Sequence, residues 1–437
     1  MLGVIGFIIS LIFVVITVYK GWDILPVSII GGILVALSNQ MNLWEALSVD
    51  YADGLGGYVA SYFLIFMLGA FFGELISVTG SAKAISYKLM DVMGAKRAPL
   101  AVVIVTLLLT YGGVNSFIVV FTLYPIAVVL FNEAKIPRRI LAACILFGCG
   151  TITQSSMPGT PAIQNLIPAT YFNTPTTAAP VTGIVTSVIT MVLGMAYIEW
   201  QVKKAAANGE VFVPVPNDNL SANIERDTTG LPDWKIAVAP VLVVIVLILA
   251  LTSVLPALAA VSVGLLVAIV MTYALNWKRI ENPVQTMTDG CVASIMPLLN
   301  TAAIVAYGAI VKSSPSFQSM VDFTMNLNYN PYVTTALGVN IIAGITGSAS
   351  GGIIIFLDNM GEFLLQQGAD PAALHRLVSI AAAGLDTLPH NGAVVSIFAV
   401  IGTTHKESYK DVFAVTVTLS VLITVVAVVM AMMGITY

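Results

Sequence analysis

Four short polar stretches, set in an otherwise apolar chain, hold the residue types that can do chemistry. Residues 384–392, GLDTLPHNG, place Asp386 three positions before Pro389, with Thr387, His390 and Asn391 alongside. An ionisable side chain inside an apolar span is a functional hypothesis by default. Asp386 is therefore the candidate carrier of a coupling proton or part of a cation site, with Thr387 and His390 beside it. The ordinary reading is a structural carboxylate capping nearby amides, and for His390 a satisfied hydrogen-bonding group. Residues 151–165, TITQSSMPGTPAIQN, offer Gln154, Ser155, Gly159 and Thr160, all uncharged. Pro158 and Pro161 each remove a backbone donor and clash with the preceding turn, so no continuous helix is expected there. The other two stretches are glycine-rich: Gly112, Gly113, Asn115 and Ser116, then Thr346, Gly347, Ser348, Ser350 and Gly351. Glycine lets backbone approach a ligand closely, and hydroxyl and amide groups can hold a carboxylate or hydroxyl. Gly and Ser also serve plain helix packing in membranes. Four such clusters together favour a solute site.

Composition says what surrounds them. Hydrophobic residues make up 58% and charged residues 9%, against about 45–50% and about 25% in soluble domains. Most of the 437 residues are thus expected in spans of about 20 apolar residues each. The net charge of −4 argues for no nucleic-acid partner. Cys144, Cys149 and Cys291 lie in apolar segments without metal-ligand spacing and read as small buried hydrophobes. The first 18 residues lack a basic leader and a small-residue cleavage site, so they read as a retained span. No phosphate-binding GxxxxGK[ST] loop and no HExxH occurs, and no soluble stretch is large enough for an enzyme. No cofactor or metal is called for.

The elements that must position the four stretches repeat. Unwound backbone survives at membrane depth only where protein or a cavity covers it, so 138–166 and 372–403 are expected as broken helices. Regions 97–133 and 331–366 are too long for one span and polar at their centres. They fit re-entrant hairpins with the glycine-rich stretches as tips. Residues 203–232 form the longest polar stretch and read as a linker. Asp53-Gly54 matches Asp289-Gly290; the tip glycines follow 60 and 58 residues later, the break prolines 105 and 100 later. Paired interrupted segments in two halves are the best sequence pointer to a transporter site. Asp53 and Asp289 are read as helix N-caps, and 41–53 as an interfacial segment. Charge chooses the topology. With re-entrant hairpins, sixteen of the 18 Lys and Arg residues fall on one side, and only Lys312 and Arg376 fall opposite, as the positive-inside rule demands.

The expected fold is therefore an all-α polytopic membrane protein with two inverted-topology repeats, 1–204 and 233–437, joined by a cytoplasmic linker, 205–232. It has about ten transmembrane helices, two re-entrant hairpins and two broken helices, with both termini outside. The partners expected are a small carboxylate, a coupling proton or sodium ion and the lipid bilayer; self-association is left open. A fixed basic side chain at the site would favour a dicarboxylate, and the Lys and Arg residues are expected at the membrane edges.

LTYGGVNSFIVVFTLYPIA (109–127), MPGTPAIQNLIPATYF (157–172), GITGSASGG (344–352) and GLDTLPHNGAV (384–394) resemble the gluconate permease (GntP) family. The resemblance covers essentially the whole chain and is closer to its hydroxybutyrate, or short hydroxy-acid, branch. It implies a secondary transporter of the ion transporter superfamily that moves organic anions by symport, usually with protons. The tips and breaks would then line the substrate site. TQSSMPGTP and DTLPHNG depart from the gluconate-specific pattern, which points to a smaller carboxylate.

Overall fold

A computed structural model describes residues 2–111, 116–160, 162–214, 229–251, 254–325, 329–436. The described residues are helical and contain no strand. Six helices are long and apolar enough to cross a membrane by themselves, or up to seven if one bent pair is a single span. Large apolar side chains such as Ile5, Ile9, Ile12, Val188, Val192, Leu242 and Val246 face outward, the surface that hydrocarbon would cover. The chain is a multi-pass membrane protein.

Its first part runs α1 Leu2–Tyr19, α2 Ile24–Ser38, α3 Leu43–Val78, α4 Ser81–Met93, α5 Ala98–Tyr111, α6 Ser116–Glu133, α7 Arg138–Phe147, α8 Ile163–Phe172 and α9 Pro180–Ala207. Its second part runs α10 Trp234–Leu251, α11 Ala257–Asn276, α12 Pro283–Ser313, α13 Pro315–Met325, α14 Pro331–Thr346, α15 Ala349–Gln366, α16 Pro371–Ala382, α17 Gly392–Ile401 and α18 His405–Met432. Position for position, the helix order is the same in both.

The two parts interlock. Helix α2 packs on α12 while α11 packs on α3; α1 packs on α13 while α10 packs on α4; α8 packs on α15 while α17 packs on α6. At the centre α3 lies along α12, and two glycines make that closeness feasible. A Cβ on Gly54 would stand 2.9 Å from Ala306 Cα, and one on Gly290 would stand 2.6 Å from Phe71 Cα. Both distances are shorter than carbon–carbon contact allows. The Asp-Gly landmarks of the sequence are therefore points of helix crossing. Asp53 and Asp289 do not cap. Asn42 accepts from the amides of Trp44 and Glu45 at the start of α3, and Asn282 accepts from Gln285 N at the start of α12. Residues 41–53 likewise do not lie apart, since the helix runs on through a π-helical turn, Ala46–Tyr51.

The first break is shorter than the polar stretch that announced it. Helix α7 continues as a π-helix, Gly148–Ser156, and among the described residues of this stretch only 157–160 and 162 leave helical geometry. Thr151, Gln154 and Ser155 are thus helical, with the Thr151 and Ser155 hydroxyls donating back to the carbonyls of Phe147 and Thr151. The second break, between α16 and α17, spans the residues expected. Helices α14 and α15 pack against each other and are joined through Gly347 and Ser348. Gly347 has a φ of +59°, which suits a residue without Cβ.

Near the α7 start, Arg139 contacts both Glu210, at 2.9 Å, and Asp411. Its guanidinium holds the Glu210 carboxyl below the usual carboxylate range.

Candidate solute-binding site

One cavity of about 480 Å3 collects the breaks and the hairpin ends, a volume within the about 300–1,000 Å3 usual for small-molecule sites. From the hairpin ends come Thr110 and Ser116, then Thr346, Gly347, Ser348, Ala349 and Ser350. Gln154 of the π-helix and Ala162, Ile163 and Gln164 at the α8 start supply the first-break wall. The second break supplies Asp386, Asn391, Gly392 and Ala393. Tyr58 and Tyr62 of α3, two residues of α11 and a stripe of α12 complete the lining.

Helix ends dominate this wall. Helices α6, α8, α15 and α17 all begin at cavity-lining residues, namely Ser116, Ile163, Ala349 and Gly392. Each N-terminus presents amides with unsatisfied donors and the positive end of a helix dipole. Ser348 caps α15 by accepting from Gly351 N at 3.2 Å. Asn391 caps α17 by accepting from Ala393 N and Val394 N, and its amide donates to Gly347 O at 2.9 Å. That bond ties the second break to the second tip. The equivalent tie on the other side is Gln154 Nε2 donating to Ser116 Oγ at 2.8 Å. Helix α8 begins without a side-chain cap.

Of the residues singled out in the sequence, Ser116, Gln154, Thr346, Gly347, Ser348, Ser350, Asp386 and Asn391 line this one cavity. Gly351 lies next to it, behind Ser348. Ser155 and Thr160 are buried, and Gly159 donates its amide to Thr176 O at 3.0 Å; none of the three is in the lining. His390 is buried behind the second tip, with Nε2 3.0 Å from Gly344 O and Nδ1 without a partner among the described residues. Thr387 turns away, donating to Thr416 Oγ1 at 2.8 Å and accepting at its carbonyl from Tyr409. Gly112, Gly113 and Asn115 lie outside the described residues, as do residues 215–228 of the linker. Asp386 is the one carboxylate among the described lining residues. Its Oδ1 is buried without a hydrogen-bond partner among the described residues.

Two cations correct the sequence reading that placed every Lys and Arg at the membrane edge. Lys312, in the last turn of α12, lines the cavity. Arg376 is fully buried and touches no carboxylate among the described residues. It donates to Ala178 O at 3.1 and 2.9 Å, to Thr176 O at 3.0 Å and to Asn165 Oδ1 at 3.1 Å. Asn165 also accepts from His375 Nε2 at 2.8 Å and donates to Thr160 O and Thr176 O. The segment following the first break is thereby pinned to α16. Tyr58, Tyr62, Thr301 and Lys312 were not anticipated. Lys312 carried one signal, its place among the two exceptions to the charge bias.

All-helical, multi-pass architecture around a central polar cavity with interrupted helices defines a membrane transporter. Residues 1–435 match the family model described as GntP family permease, and the chain belongs to that family. It is 33% identical over 437 residues to an uncharacterized transporter, YxjC, of Bacillus subtilis (strain 168), covering 92% of this chain and 93% of that one. It is also 25% identical over 347 residues to an uncharacterized permease of Haemophilus influenzae, covering 74% and 70%.

Proposed function

We propose that the protein is a secondary active transporter that carries a small organic anion together with a proton. The convergence of four helix N-termini on one cavity carries this reading, because oriented amides and dipole ends make a ready site for a carboxylate. A hydroxy monocarboxylate such as hydroxybutyrate, or a gluconate-like acid, fits the mixture of amides, hydroxyls and apolar side chains. The family supports movement across a bilayer; our reading puts the protein in the inner membrane with both termini outside. Residues 1–204 and 233–437 act as inverted repeats around the 205–232 linker, which the matched helix order and the reciprocal packing support. The hairpin and break elements then move against α1–α3 and α10–α12 to give alternating access. Asp386 is the coupling group: its unpartnered oxygen on the cavity wall can take a proton with the anion and release it on the other side. The first break serves solute binding and the second serves coupling.

The experiment is uptake by reconstituted protein, with pH and sodium gradients varied separately across a panel of hydroxy acids. A pH gradient that is acidic outside is expected to drive uptake of hydroxy monocarboxylates. Carboxylate uptake indifferent to both gradients would remove symport. A second reading, a sodium-coupled carrier or exchanger of dicarboxylates, takes its support from Lys312 in the lining; uptake driven by sodium alone would favour it.

A further inference from the structure

Helix α12 presents Thr301, Val305, Gly308 and Lys312 to the cavity, spaced so that they form one stripe on one face. Lys312 closes that stripe. Its Nζ lies 3.9 Å from where a Cβ on Gly351 would stand, beside the first turn of α15. The ion pairs of Arg139 with Glu210 and Asp411 do not involve Lys312. Asp50, on the neighbouring helix, instead accepts from the Ser313 hydroxyl at 2.9 Å. Lys312 is exposed where it meets the cavity, and a cation there without a counter-ion attracts an anion. Here it faces a solute cavity next to a helix N-terminus, so the missing anion is one that enters and leaves.

We propose that Lys312 is the counter-ion of the substrate's carboxylate, which sits between its ammonium group and the first turn of α15. This rests on the anion-transport reading above and narrows it. Lys312 is the single cation among the described lining residues, and Asp386 is the single carboxylate there. With Asp386 holding the coupled proton, the charges of Lys312 and a monocarboxylate cancel. A dicarboxylate brings a second negative charge with no second cation to meet it. The remainder of the substrate therefore carries neutral polar groups, which Gln154, Ser116 and Asn391 can bond.

The test uses full-length protein in liposomes, with 3-hydroxybutyrate, its neutral amide and malate as probes. For 3-hydroxybutyrate, Lys312→Met is expected to raise KM at least tenfold and Lys312→Arg to restore it to within a few-fold. The amide is expected to compete equally weakly against wild type and Lys312→Met. Malate is expected to compete more weakly than 3-hydroxybutyrate. A second measurement needs no variant: 3-hydroxybutyrate should shield Lys312 of the wild-type protein from an amine-acylating reagent, read by mass spectrometry. An unchanged KM in Lys312→Met, tighter malate binding, or acylation of Lys312 unaffected by 3-hydroxybutyrate would each overturn the assignment while uptake by wild type stood. Wild-type protein that transported no carboxylate would instead bring down the anion-transport reading, and this one with it.

Discussion

Asn165 is the residue whose replacement should cost the most for its size. All four of its strong hydrogen-bonding positions are used: Nδ2 donates to Thr160 O at 2.9 Å and Thr176 O at 3.0 Å, while Oδ1 accepts from His375 and Arg376. Because Nδ2 faces two carbonyls, Oδ1 must face the two donors, which places the His375 proton on Nε2 and leaves Nδ1 to accept from Thr174. Asn165→Leu matches the volume and removes every bond. Thr176 O keeps Gly159 N–H and an Arg376 donor, so it is not orphaned. Thr160 O and His375 Nε2 lose the one side-chain partner each has among the described residues, and Arg376 loses one donor contact of four. At about 1–3 kcal/mol per stranded buried group, the loss is about 3 kcal/mol or more, in the large tail of single substitutions. Reversible unfolding in mixed micelles should show it as a fall in the midpoint. Combined with Arg376→Met, the loss should be smaller than the sum, since the two share a network. An Asn165→Leu protein within about 0.5 kcal/mol of wild type, the range of neutral surface changes, would refute the reasoning.

Three further outcomes follow from other parts of the molecule. Asp386→Asn should abolish uptake driven by a pH gradient, yet retain exchange of labelled for unlabelled substrate; coupled uptake at the wild-type rate would remove the proton role. Gly290→Val should destabilise the α3–α12 crossing by about 1–3 kcal/mol through overpacking. Gly56→Ala on the same α3 helix, where a Cβ would meet nothing within 4 Å, should be neutral or slightly stabilising, and equal melting of both variants would contradict the crossing. The Arg139–Glu210 contact has a lowered Glu210 pKa, so its contribution is whole above the ordinary glutamate value of about 4.3. It is lost as pH falls through the lower folded value. With Glu210 37% exposed, it is worth under about 1 kcal/mol, and Glu210→Gln should flatten acid sensitivity by no more than that.

The limits of the helix pairs flanking the glycine-rich stretches were legible because prolines and charges mark them. The expected 97–133 and 331–366 coincide almost to the residue with α5–α6 and α14–α15. That Ser116, Gln154, Ser348, Asp386 and Asn391 line one cavity follows from polar groups inside apolar spans having few places to go. The extent of the first break was not legible. A π-helix absorbs the Thr and Ser hydroxyls into its own carbonyls, and nothing local distinguishes that from unwinding. The caps were misread for a similar reason: Asp-Gly looks like a helix start, whereas Asn42 and Asn282 begin helices that run straight through it. Lys312 and Arg376 were the most instructive misses. Charge counting assigns a side of the membrane and says nothing of depth. Of the two residues that broke the rule, Lys312 lines the cavity and Arg376 is buried in a cage of carbonyls.

That cage also sets an order for synthesis. Ala178 O receives Arg376 from 198 residues further along the chain. While the first part is already in the bilayer, the carbonyl of Ala178 and the side-chain oxygen of Asn165 must wait for their partners to be translated. The segment after the first break therefore stays unfinished until the second part inserts, and an N-terminal fragment made alone is a substrate for quality control. Supplying the missing fragment in the same cell should rescue it, because the cage closes by contact between the parts and needs no covalent link between them.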